Sequence, residues 1–191
     1  MQPSDAPRIE LAKARDAIQS MRSATTLEQF EEHWKEFLRR VERSWNKTFH
    51  HYGKSPKWSG WSGATEQLRK KDPLLSYLVN ARGAEEHTVN EIVGRQPGGI
   101  GINPAKGNVL EHMEINMING NIDIKSDSPL KITFRPARTT LIPVVNRGRT
   151  YAIPMSHLGY QIDPNDVVAL AEIAAEFYES AVSKAEDFFV K

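Results

Sequence analysis

The chain has 191 residues, 39% of them hydrophobic and 26% charged, with no cysteine and a formal net charge of +1. That length suits one domain with a substantial core, and 4 Trp, 7 Phe and 5 Tyr argue for an ordered globular protein over a disordered one. The lack of cysteine excludes disulfides, thiolate nucleophiles and cysteine zinc sites together; with no apolar run of about 18 residues and no signal-like pattern in MQPSDAPRIE, a soluble cytoplasmic protein without a membrane span is expected.

A first helix is predicted from about Asp5 to Ser23, carried by Ile9, Leu11, Ala12, Ala17, Ile18 and Met21. A second begins at Thr25 or Thr26, with Glu28 and Gln29 at capping-box spacing. Leu27, Phe30, Trp34, Phe37, Leu38, Val41, Trp45 and Phe49 follow at three and four spacing. Its aromatics therefore read as core rather than as a base-stacking surface. The stretch from His50 to Gly63 is rich in Gly, Ser and Pro and reads as an ordered surface loop. In it, Trp58 and Trp61 have two readings, stacking on unpaired bases or anchoring the loop to the core. His50 and His51 have no Asp, Glu or further His at ligand spacing, so neither a metal nor a cofactor is expected.

A third helix is predicted from Pro73 to about Val93, with Asp72 as N-cap and Pro73 at the first helical position. Leu74, Leu75, Leu78, Ala81, Val89 and Ile92 supply its apolar face. From Gly98 to Pro154 the period falls to two, and Asn119-Gly120 between apolar runs is a strong hairpin signal. Asn146-Arg147-Gly148-Arg149 marks another turn, while Gly98 to Gly107 lacks the ending of a phosphate loop and reads as a flexible turn. A last helix is predicted from Asp163, with Val167, Leu170, Ala174, Phe177 and Tyr178 on its buried face; His157 lies just before it and is a second histidine within possible reach of the third helix. An α+β fold follows, placed in a single domain, 1–191. An antiparallel bundle of four to five helices comes from residues 1–95 and 163–191. An antiparallel β-meander of four to five strands is inserted over 98–154.

Charge is unevenly spread. From Trp34 to Arg82, eleven Lys and Arg face four acids, a local charge of +7; from Asp163 onward, seven acids face two lysines, a local charge of −5. Two readings stand for the basic segment: it meets a polyanion, or it is a solvated face balanced by the acidic helix.

Within the third helix, Arg82-Gly83-Ala84-Glu85-Glu86-His87 forms an R-x-x-x-x-H motif. Arginine offers a planar, permanently charged fork for phosphate, and histidine titrates nearest neutrality, so the pair can cleave RNA without a metal. At 100° per residue the two lie about 140° apart around the helix, so the arginine has to reach around or meet a second copy. The alternative is that Arg82 pairs with Glu85 or Glu86 and His87 fills the surface.

The motif in a helical setting with a closing helix resembles the HEPN superfamily. The resemblance implies a dimeric bundle of four or five helices, with paired motifs forming a metal-independent RNA-cleaving groove. Many members of that family are toxins or defence effectors, which implies a protein partner such as an antitoxin. Arg82 and His87 then carry catalysis on RNA, and Arg39, Arg43, Lys70 and Lys71 hold the substrate backbone. Gly83 departs from the polar residue common in active members. The competing reading is a noncatalytic interaction protein, binding a protein or a nucleic acid, in which the motif is structural.

Overall fold

The computed structural model describes residues 1–87 and 92–190, and these form five helices and ten short strands. The fold is α+β, as the change of period along the chain predicts. It divides into two compact units, one of residues 1–95 and 139–191 and one of residues 96–138.

The first unit is built on helices. Helix α1 (Ala6–Ser23) presents Leu11, Ala14, Ala17, Ile18 and Met21 to the core at helical spacing. Helix α2 (Leu27–Tyr52) starts where capping chemistry requires it. The Thr26 hydroxyl accepts from Gln29 N–H at 3.2 Å, and Gln29 Oε1 accepts from Thr25 N–H at 3.0 Å. Its Trp34, Phe37, Leu38, Val41 and Trp45 are almost fully buried, as the periodicity predicts, whereas Phe30 is partly buried and Phe49, at the end of the predicted stripe, is 54% exposed. Helix α5 (Val167–Phe189) lies against α1 and α2 and is rich in alanine on its buried side.

Three charge pairs clasp α1 to α5: Arg8 with Glu186, Arg15 with Glu179 and Arg22 with Glu172. Their seven-residue steps run in opposite senses on the two helices, as antiparallel packing requires. A further cluster fixes α1 to α2. The carboxylate of Glu10 is only 2% exposed and accepts from Arg40 at 2.8 Å and Lys47 at 2.5 Å, with Arg43 at 3.9 Å. Burial alone would raise its pKa, but the hydrogen bonds from Lys47 and Arg40 win and pull it down to about 2.

The segment expected as a loop from His50 to Gly63 is largely helical. Helix α2 runs on to Tyr52, and helix α3 (Trp58–Lys71) begins after a gap of five residues. The cause is tertiary: Trp58 is buried against Trp45, Phe49 and Phe189, and Trp61, one turn on, packs on Phe189. Burial of two tryptophans at i, i+3 outweighs the poor helix propensity of Gly60 and Gly63. Both tryptophans anchor to the core.

Helix α4 (Pro73–His87) starts as expected, Asp72 Oδ1 accepting from Leu75 N–H at 3.0 Å. Its expected extension to Val93 fails at the far end, because Ile92 and Val93 are buried outside the helix and Val93 opens strand β1 (Val93–Gln96); Val89 lies outside the described residues. Helix α5 begins later than expected. Asp166, not Asp163, is its cap, accepting from Ala169 N–H at 2.9 Å, while Asp163 Oδ1 accepts from Asn165 N–H one turn earlier.

Strand β1 pairs with β6 (Arg138–Leu141), and the hairpin of β7 (Val144–Asn146) and β8 (Arg149–Tyr151) turns at Arg147 and Gly148, both with positive φ. That is the type I′ geometry that matches strand twist. A third such turn, Leu158-Gly159, joins β9 (Ser156–His157) to β10 (Tyr160–Gln161) and was not foreseen.

The second unit is a two-stranded ribbon. Strand β2 (Gly99–Pro104) pairs antiparallel with β5 (Leu130–Arg135), and β3 (Met113–Ile118) with β4 (Asn121–Ser126) around the expected Asn119-Gly120 turn. The strands are thus nested pairs rather than neighbours in one meander, and residues 99–104, expected as a turn, are strand. Among the described residues, no helix is long and apolar enough to cross a membrane.

Candidate functional site

Helix α4 is the element around which the candidate residues gather. Leu74, Leu75, Tyr77, Leu78, Ala81 and Ala84 seat it in the core. The Tyr77 hydroxyl donates to the carbonyl of Ile142 at 2.7 Å, and burial pushes its phenol pKa well above the ordinary value. Strand β7 closes on the same helix. Asn146 Nδ2 donates to Asn80 Oδ1 at 3.0 Å, and Asn80 Nδ2 donates to the carbonyl of Ser76 at 2.8 Å. This contact explains the mid-helix glycine, since a Cβ at Gly83 would lie 2.6 Å from Asn146 Nδ2.

Arg82 forks onto Glu86, both terminal nitrogens meeting its carboxylate one turn on. Its Nε is buried without a hydrogen-bond partner among the described residues. His87 is the last residue of α4, and its side chain lies outside the described residues. His157 is far from the motif. It pairs through Nδ1 with Asp72 Oδ1 at 2.9 Å, at the N-terminus of α4, while Arg82 lies ten residues away, roughly 15 Å along the helix axis. Asp72 also accepts from Leu158 N–H at 2.7 Å, so one buried carboxylate caps α4 and holds the β9–β10 turn.

A cavity of about 570 Å³ opens between the C-terminus of α3, the first half of α4 and strand β8. Arg69, Lys70, Lys71 and Arg149 line it together with Ser76, Asn80 and Tyr151, and among the described residues no Asp or Glu lines it. Asp72 ends α3 and starts α4, which places Lys70 and Lys71 at the negative end of one helix dipole and beside the first turn of the next. The type I′ turn then brings Arg149 across from β8, its guanidinium 5.4 Å from the Tyr151 ring centroid. Lys70, Lys71 and Arg149 are exposed and have no ion pair among the described residues.

Arg69 differs from these three. It is buried, ion-paired to Glu42, 3.2 Å from the Tyr178 hydroxyl and stacked 5.3 Å from the Trp45 ring. Burial would lower its pKa, but Tyr178 and Glu42 hold the guanidinium above its usual value. It braces the cavity wall.

The four expected backbone-holding cations separate into two places. Lys70 and Lys71 line the cavity; Arg39 and Arg43 stand on α2, where Arg39 meets Glu36 at 3.2 Å and Arg43 borders a different cavity with Lys47 and His50. Arg149, Ser76 and Tyr151 were missed. Arg149 opens β8 just after a turn that the sequence marks by its glycine, outside the basic window from Trp34 to Arg82. Among the described residues, no group of three or more His, Asp or Glu is placed to hold a metal ion.

No protein-family model, curated protein or solved structure matches this chain. The likeness to the HEPN superfamily therefore rests on Arg82, His87 and the helical setting alone.

Proposed function

We propose that this protein binds a phosphate-bearing polyanion, single-stranded RNA foremost, in the cleft between α3, α4 and β8. One observation carries the reading: three exposed cations, Lys70, Lys71 and Arg149, meet across a cavity that no carboxylate lines among the described residues. Its volume falls in the range of ligand sites. Cations so placed attract phosphate through a concave wall, which concentrates the field. Ser76 and Tyr151 add hydroxyls and a ring face for sugar or base.

The test is fluorescence anisotropy with labelled single-stranded RNA over a salt series. The triple variant Lys70→Ser, Lys71→Ser, Arg149→Ser should lose binding and flatten the slope of log K against log salt by about 2, at ~0.7 per phosphate contact. Unchanged affinity and slope in a folded variant would overturn the reading.

A second reading is favoured by the buried Nε of Arg82, which has no hydrogen-bond partner among the described residues and points to a guanidinium not fully satisfied by Glu86. In it the chain is a metal-independent ribonuclease of HEPN type, acting as a homodimer with two motifs in one groove. The ribose 2′-oxygen bonds to the adjacent phosphorus, the bond to the 5′-oxygen breaks, and a 2′,3′-cyclic phosphate and a 5′-hydroxyl result. One His87 takes the 2′-hydroxyl proton and the other protonates the leaving oxygen, while Arg82 stabilises charge on the phosphoryl oxygens. Arg82 has to leave Glu86 for this to happen. Incubation with RNA and matched DNA in chelator decides it: RNA-only cleavage, lost in Arg82→Ala and His87→Ala, supports the enzyme. Binding without cleavage leaves the first reading alone.

A further inference from the structure

The β2–β5 and β3–β4 ribbon, residues 96–138, contains no buried residue. Its register nevertheless sorts side chains by polarity. In β3–β4, Ile115 lies opposite Ile124 and Met117 opposite Ile122, while the other face carries Glu114 opposite Lys125 and Asn116 opposite Asp123. In β2–β5, Ile100 lies opposite Phe134 and Ile102 opposite Ile132, while Gly101 faces Thr133 and Asn103 faces Lys131. Each pair of strands is thus a two-sided sheet with one mainly apolar face, Ile118 beside the turn being the apolar side chain on the polar side of β3. Those faces are open: Met117 is 79% exposed, Phe134 74%, Ile115 54%, Ile122 51%, Ile100 48% and Ile132 47%.

We infer that this ribbon is a self-association surface, occupied by the same ribbon of a second copy of the chain. The area supports it. At roughly 150–200 Å² per fully exposed large apolar side chain, the three on each sheet present about 300 Å², or about 600 Å² per chain over the two sheets. Two copies then bury about 1,200 Å², the lower bound of specific interfaces, whereas single soluble chains rarely leave apolar patches beyond a few hundred Å² open. The charge supports it as well. The ribbon carries five Lys and Arg against four Asp and Glu, so two copies do not repel and no strong field recruits a charged partner. A two-fold axis sets one face against its equal, giving each apolar side chain an apolar partner. Two-stranded ribbons are marginal by themselves, and a second ribbon supplies the missing layer.

This surface is independent of the cleft. Sedimentation equilibrium of the full chain should give a two-chain mass in the micromolar range. Ile115→Glu with Met117→Glu should give a one-chain mass with unchanged helical circular dichroism, while Asn116→Ser on the polar face stays dimeric. Because the chain has no cysteine, Met117→Cys should cross-link into a covalent dimer under mild oxidation and Asn116→Cys should not. The cross-link needs no disruptive charge, so it decides the matter even if the glutamate variant misfolds. A wild-type chain that remains single, a dimer that survives the glutamate variant, or equal cross-linking from both faces would each overturn the inference. The first points to a different protein as occupant, the second to pairing through the helices.

Discussion

Replacing Gly83 by alanine sets two effects of similar size against each other. Alanine in a helix interior is favoured over glycine by about 1 kcal/mol, so the substitution in an open helix stabilises. Here the new methyl group would lie 2.6 Å from Asn146 Nδ2, and the amide can escape only by giving up its hydrogen bond to Asn80. That bond contributes about 1 kcal/mol, and the Asn146 carboxamide, whose Cγ would lie 3.1 Å from the methyl group, adds some strain as it shifts, so Gly83→Ala should destabilise by about 0.5 kcal/mol. In an Asn146→Ala background the obstructing atoms are gone and the same change should stabilise by about 1 kcal/mol. Urea unfolding of the four proteins measures this as a coupling energy of about 1.5 kcal/mol. If Gly83→Ala has the same sign and size in both backgrounds, the packing explanation of the glycine is wrong.

Acid should weaken the α1–α2 clasp. The Glu10 pKa is lowered to about 2 in the fold, so its contribution is full above the unfolded value near 4.5 and is lost as pH falls toward 2. Glu10→Gln should cost roughly 2–3 kcal/mol near neutrality and remove that part of the acid dependence, which urea midpoints at several pH values will read. Tyr77→Phe should cost about 1 kcal/mol by leaving the Ile142 carbonyl without its donor, measured by thermal unfolding. Glu86→Ala should change stability by less than about 0.5 kcal/mol, as an i, i+4 pair at the surface does, and in the ribonuclease reading it should also tighten RNA binding by freeing Arg82, measured by anisotropy.

The elements that the sequence reveals are those whose signal is local. Asp72 before Pro73, Thr26 before Gln29, and Asn119-Gly120 each specify a cap or turn within four residues, and each is found in place. The failures are long-range. Trp58 and Trp61 sit among glycines and serines that argue for a loop, and only their burial against Phe189, more than a hundred residues on, makes them helical. The nesting of β2 with β5 is likewise set by pairing across a span that alternation cannot reveal. For the site, Lys70 and Lys71 were legible as part of a basic run. Arg149 was not, because its proximity depends on β7 closing onto α4 through Asn146 and Asn80.

The two charge runs meet different fates. An acidic α5 neutralising the basic segment would leave little field for a ligand. Instead Glu172, Glu179 and Glu186 are taken by Arg22, Arg15 and Arg8 of α1, a helix outside that segment. Within the segment, Arg40, Arg43 and Lys47 converge on the buried Glu10, and Arg69 is held by Glu42. The pairing thus consumes the cations on α2 and leaves Lys70 and Lys71 exposed at the end of α3, where Arg149 joins them. A positive cleft persists in a chain of net charge +1 because the acids are committed elsewhere by packing. Reversing α1's charges tests this directly. Arg15→Glu should release Glu179 and weaken the α1–α5 clasp by about 1 kcal/mol in thermal unfolding, while leaving RNA affinity in the cleft unchanged. Loss of binding in the folded variant would mean that the ligand is held by the field of the whole molecule and not by the three cations.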